Sequence, residues 1–281
     1  MLSRADISCA NDIPPLITRH SPPSLVPYPL LPMPWDFTLL ILLLGLVVPW
    51  RSVVRMRQLL RTPSTTSEQR LILYATTMAG QWLIAGVALW RSLARGIPAR
   101  ALGLALDDPA TALTSAAALC VIMSAAQVFA LRRLSRLPAS EQGYAGILAR
   151  KLMPQNSVES LAFVALASTV AVCEELLYRG FLLAAFVRVF GMTSGGMLLA
   201  ALASTLLFAV GHIYQGLKGV TSTFVLGLAF CALRIATGSL VPTIAVHFCV
   251  DVVAGLAAPR FLAGAAAAPA SRVATSAESP E

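Results

Sequence analysis

The chain has 281 residues, 57% of them hydrophobic and 12% charged, with a formal net charge of +8 and a mean hydropathy of +0.75. Soluble domains are roughly 25% charged, so too little polar surface is present to wrap a water-soluble core of this size. This excludes a soluble globular enzyme and a disordered or fibrous chain. It leaves an all-α polytopic membrane helix bundle, with length for about seven to eight transmembrane helices of about 20 residues each. Excess arginine in short loops of such a protein reads as topology. Nucleic-acid binding needs a basic stripe with base-reading or stacking side chains; none is seen, so no nucleic-acid partner is expected.

Residues 1–34 form an irregular Pro-rich N-terminal tail, with six prolines between Pro22 and Pro34 opposing any stable helix. The N-terminal transmembrane helices occupy 35–156. The first apolar run, Phe37–Trp50, is short, so it either borrows residues from Leu30–Trp35 or sits poorly matched to the bilayer. It starts too deep in the chain for an ordinary signal peptide. Leu71–Trp90 and Pro109–Leu131 follow without a charge. A core over 157–258 contains Leu161–Phe186, Val189–Leu217 and Gly219–Ala257. The last of these is interrupted by Arg234, Gly238 and Pro242 and should hold two helices. Counting gives seven spans, with a short extra helix around Gly180–Phe190. Residues 259–281 read as a disordered Ala- and Pro-rich tail.

Arg51 to Arg70 holds five arginines against one glutamate, and Arg132 to Lys151 holds four arginines and a lysine against one glutamate. Two spans separate these segments, so they share a side, expected to be cytoplasmic. The chain is expected in the cell membrane as a multi-pass protein. Of its five cysteines, four lie in apolar runs and none forms a C-x-x-C, which is neither a disulfide framework nor a zinc ribbon.

Charges inside spans are the informative residues, because each costs at least about 2.5–3.5 kcal/mol at mid-membrane. Glu174, Glu175 and Arg179 stand in the sequence AVCEELLYRGFLL. Glu175 and Arg179 are four apart with the acid first, the favourable helical order. Glu174 points about 100° away and needs a partner from another helix. Of three histidines, His20 lies in the tail, while His212 and His247 close or occupy apolar runs; Asp251 is one turn after His247. Three helices thus offer polar groups that need one another in a low-dielectric interior.

Two chemistries fit. Glu174 can take a proton from water with help from His212, while His247 and Asp251 support an oxyanion. Alternatively, Glu174, His212 and His247 can ligate a divalent metal such as zinc, which activates the water. No H-E-x-x-H is present. A purely structural alternative also stands, since intramembrane histidines often bond between helices and E-E-x-x-x-R can lock packing. Phe208, one turn before His212, is expected to pack in the core and to shape the space beside that ring.

In order, Glu174-Glu175-Leu176-Leu177-Tyr178-Arg179, Phe208-Ala209-Val210-Gly211-His212 and His247-Phe248-Cys249-Val250-Asp251 resemble the motifs of the CPBP intramembrane proteases. These include the type II CAAX prenyl endopeptidases and the Abi or bacteriocin-processing proteins. The likeness covers about residues 157–258. It implies an all-helical membrane endopeptidase with its site in a cavity open to the cytosol and no required cofactor, zinc staying open as an alternative. In that scheme Glu174 and His212 activate the water, His247 and residue 251 support the oxyanion, and Glu175 and Arg179 organise the site. Prenyl endopeptidases carry Asn where this chain has Asp251. An ionised Asp would repel an oxyanion, so Asp251 is expected to orient His247 or to act protonated. That favours a generic bacterial-type member.

The resulting expectation is an intramembrane endopeptidase acting on a membrane-embedded or lipidated protein or peptide. A non-catalytic membrane scaffold or immunity protein, or a proton-coupled transporter, would use the same polar core differently. No inverted repeat of the transporter kind is visible. One feature sits awkwardly: with straight helices, Glu174 and the helix-terminal His212 lie at different depths. Gly191 with Gly195 and Gly196 suggests a helix break that could resolve this.

Overall fold

A computed structural model describes residues 33–62 and 64–263. Most of the N-terminal tail, including His20, and residues 264–281 lie outside them. The described residues form eight α-helices. They are α1 (Trp35–Arg61), α2 (Ser67–Ala94), α3 (Pro109–Leu134), α4 (Gly143–Lys151), α5 (Ser157–Phe190), α6 (Ser194–Gly211), α7 (Gly216–Thr237) and α8 (Val241–Ala258). No strand occurs among the described residues. Seven of the helices, all but α4, are long and apolar enough to cross a membrane. The molecule is an all-α polytopic bundle.

Local sequence sets the helix ends. Thr66 caps α2 by accepting from Gln69 N at 3.2 Å while the Gln69 side chain accepts from Thr66 N at 3.0 Å, a reciprocal cap. Asp108 caps α3, accepting from Thr111 N at 3.1 Å, and Pro109 occupies the first turn, where it forfeits no bond. Asn156 caps α5 and Thr193 caps α6 through Glu159 N and Gly196 N. Gly191 (φ +84°) ends α5 and Gly238 (φ +68°) ends α7, conformations that L side chains rarely adopt.

Several sequence expectations are corrected. Of Leu30–Trp35, the first span takes in Trp35; Met33 and Pro34 precede the helix, and residues 30–32 lie outside the described residues. The span runs on through Arg51, Arg55 and Arg57 to Arg61, because arginine stems can lie along apolar surface while their heads reach water. Gly180–Phe190 is no separate helix but the end of the continuous 34-residue α5. Val189–Leu217 contributes to three helices, broken at Gly191 and again at His212, where a 3₁₀ turn (Ile213–Gln215) intervenes. Pro259–Ala263 continues α8 as a π-helical turn, so these five residues are helical where an irregular tail is expected; the rest of that tail lies outside the described residues. The basic loop contains α4, which charge counting alone does not reveal.

Four ties fix the ends of the bundle. At one end, Lys151 Nζ donates to the carbonyls of Leu59 at 2.9 Å and Leu60 at 3.3 Å, joining the two basic segments on one side. There too, Arg70 grips the buried Glu159 through two bonds of 2.8 and 3.3 Å. At the opposite end, Asp36 holds Arg91 at 2.6 Å and Arg95 at 3.2 Å. The α2–α3 loop is docked at that end, with Leu240 N donating to Gly103 O at 2.8 Å and Arg234 Nη2 to Ala101 O at 2.9 Å.

Candidate functional site

Residues Glu175–Leu182 of α5 form a π-helical segment, and every one of them is buried. Such wide turns are uncommon and recur at functional sites. The segment begins at the acidic pair and carries Arg179 into the interior. Glu175 Oε1 accepts from Arg179 Nη1 at 2.8 Å and from His247 Nδ1 at 2.8 Å. An ionised carboxylate only accepts, so His247 holds its Nδ1 proton there. Glu175 and Arg179 side chains are 0% exposed. Phe208 and Phe230 pack on the guanidinium at 4.1 and 5.2 Å, an arrangement that favours a cation over an aromatic face.

His247 Nε2 faces the other way, towards Glu174 Oε2 at 3.9 Å and Asp251 Oδ2 at 3.6 Å. The Glu174 and Asp251 side chains are 14% and 31% exposed against 6% for His247. The cluster is therefore sealed on its Arg179 side and open on its Glu174–Asp251 side. Phe208 stacks edge-on against His212, Tyr178 and His247, with centroids at 4.9, 5.1 and 6.1 Å. The expected core-packing role of Phe208 is what the geometry shows, and it links all three rings. His212 Nδ1 lies 2.9 Å from Phe208 O. A carbonyl can only accept, so Nδ1 carries a proton, and in the neutral ring Nε2 offers its lone pair.

The depth conflict disappears because α6 is only 18 residues long and stops inside the bundle. Gly211 O accepts from Ser52 Oγ at 3.4 Å, and Ser52 lies about 14 Å, at about 1.5 Å per residue, before the end of α1 at Arg61. A Cβ on Gly211 would stand 3.3 Å from Tyr178 Oη. His212 thus sits beside the turn of α5 that follows Glu174, on the basic side of the bundle.

Glu174, Glu175, Arg179, His247 and Asp251 come together as the sequence suggested, and His212 joins them through Phe208. Sequence reasoning missed Gln81 of α2, whose Nε2 donates to Glu174 Oε1 at 2.9 Å. It is the one amide in the uncharged run Leu71–Trp90, and that was the available signal. It also missed Gly227, whose carbonyl accepts from Arg179 Nη2 at 3.4 Å. A Cβ there would lie 2.8 Å from Thr205 Cγ2 and 3.1 Å from both Arg179 Nη2 and Phe208 Cδ1.

A resident metal needs converging donors. Among the described residues no group of three or more His, Cys, Asp or Glu is placed to hold one. Glu174, His212 and His247 are thus not grouped as a ligand set in this geometry.

Residues 156–253 match the family model for type II CAAX prenyl endopeptidase Rce1-like proteins. The match spans all three motifs, Asp251 included, and agrees with the resemblance they carry. No curated protein and no solved structure matches the chain.

Proposed function

We propose that this chain, with its Rce1-like domain over 156–253, is a glutamate-type intramembrane endopeptidase of the cell membrane. Its substrate is a membrane-associated or lipidated protein or peptide. One observation carries the reading. Glu174, with one oxygen unpartnered, faces a histidine whose far nitrogen is fixed by a second carboxylate. A base at the open edge of a buried cluster, beside an oriented N–H donor, is suited to hydrolysis of a peptide bond.

In this scheme Glu174 Oε2 removes a proton from water, and His212 Nε2 assists by accepting a hydrogen bond. The water oxygen attacks the scissile carbonyl carbon. His247, protonated at both nitrogens, keeps Nδ1–H on Glu175 and offers Nε2–H to the oxyanion. Asp251 orients His247 or, protonated, adds a donor. When the C–N bond breaks, Glu174 returns its proton to the leaving amine, and the products are a carboxylic acid and a free amine. Glu175 and Arg179 transfer no proton; they fix the position of His247, as outer-shell partners do elsewhere. No metal is used. The basic end of the bundle faces the cytoplasm, so substrate enters from there.

The test is cleavage by purified protein in liposomes of quenched peptides bearing a hydrophobic or lipidated anchor, with the new N-terminus read by mass spectrometry. Cleavage that survives exhaustive chelation is expected. Loss on chelation, with recovery on adding zinc, would replace the glutamate mechanism by a metal one.

A further inference from the structure

We propose that Gln81 is a positioning residue for the reaction, supplied by a helix outside the family-matched segment. The inference rests on Glu174 being the base. Gln81 lies in α2 about midway between Arg70 and Arg91, roughly 15 Å from each at 1.5 Å per residue. Those two arginines anchor α2 at opposite ends, through Glu159 and Asp36. One turn of α2 is also stitched to α5 beside Gln81, where Trp82 Nε1 donates to Thr169 Oγ1 at 3.3 Å. The amide is thus held at a fixed depth against α5 rather than free to wander.

Its bond has a definite sense. Gln81 Nε2 donates to Glu174 Oε1 at 2.9 Å; the opposite amide orientation would set two acceptors against each other. This occupies one carboxylate oxygen and leaves the other, Oε2, without a partner and 3.9 Å from His247 Nε2. Gln81 therefore selects which oxygen of Glu174 faces the histidine and the open side of the cluster. The amide is itself only half satisfied, because its Oε1 is buried with no partner. Methionine at 81 would fill the same space without that defect.

This contrast gives the test. Wild type, Gln81→Asn, Gln81→Met and Glu174→Gln are compared in liposomes for kcat, KM and thermal melting. Positioning predicts that kcat falls in the order Gln, Asn, Met, with Met down by about tenfold or more and KM held within about twofold. Met removes one unmet acceptor, Gln81 Oε1, and creates another at Glu174 Oε1, so its melting should stay close to that of wild type while kcat falls. Should Gln81→Met melt early, Gln81→Asn, which keeps the amide but shortens its reach, carries the test; it should melt near wild type and lose kcat.

Wild-type kcat in either folded variant, with Glu174→Gln inactive, overturns the role of Gln81 while leaving Glu174 as base. Wild-type cleavage by Glu174→Gln overturns the base assignment, and the role of Gln81 with it.

Discussion

Glu175 Oε1 receives the Nδ1–H of His247 at 2.8 Å and, on the same oxygen, an Arg179 N–H. A single atom thereby ties the buried cation of α5 to the histidine of α8. Substituting Glu175→Gln leaves the Arg179 guanidinium buried between two rings with no counter-charge, a loss of about 3–5 kcal/mol. The melting temperature should drop sharply. Glu175→Gln with Arg179→Met should regain much of that stability yet stay inactive, because His247 has lost its carboxylate. Melting and peptide cleavage on both proteins separate the two roles.

Gly227 is expected to be intolerant for a packing reason. Gly227→Ala drives a methyl group to 2.8 Å from Thr205 and 3.1 Å from Arg179 and Phe208. Overpacking of this sort costs about 1–3 kcal/mol and displaces the guanidinium. Cleavage should fall although Glu174, His212 and His247 are unchanged; unaltered cleavage and melting would show that the neighbours yield freely.

Asp251 tests how the oxyanion is supported. Its Oδ2 stands 3.6 Å from His247 Nε2. Asp251→Asn supplies an N–H donor of the same shape and should retain activity within about tenfold, whereas Asp251→Ala should lose about a hundredfold, the scale of one oxyanion donor. Equal rates for all three would remove Asp251 from the chemistry.

Arg70 and Glu159 pin α2 to α5 away from the reacting groups, and Glu159 is fully buried. Arg70→Met alone should destabilise by about 3 kcal/mol, and adding Glu159→Met should restore most of the loss, since an apolar pair of similar volume often replaces a buried ion pair. Because α2 carries Gln81, the single variant should also lower kcat. Unfolding in mixed micelles and liposome cleavage together report both effects.

Much of this was legible in the sequence for physical reasons. Charge is costly in a bilayer, so Glu174, Glu175, Arg179 and Asp251 stood out against apolar runs, and the span count followed from length and hydropathy. The Glu175–Arg179 spacing survives even in a widened turn. What escaped was set by tertiary packing. The π-helical segment of α5 leaves no periodicity signal, and Gln81 is a single neutral amide that only the fold brings to Glu174. The shortness of α6, which lifts His212 to the level of Tyr178, was hidden because Val189–Leu217 is apolar across two helix breaks. Gly191 marked one of those breaks; His212 itself marks the other.

The most direct measurement is peptide cleavage by Glu174→Gln in liposomes, beside wild type of equal melting temperature. The amide has the shape of the carboxylate but cannot take a proton from water. The account predicts a folded protein whose cleavage is down by at least about a hundredfold, in line with loss of a general base. A folded Glu174→Gln protein that cleaves at the wild-type rate would contradict it.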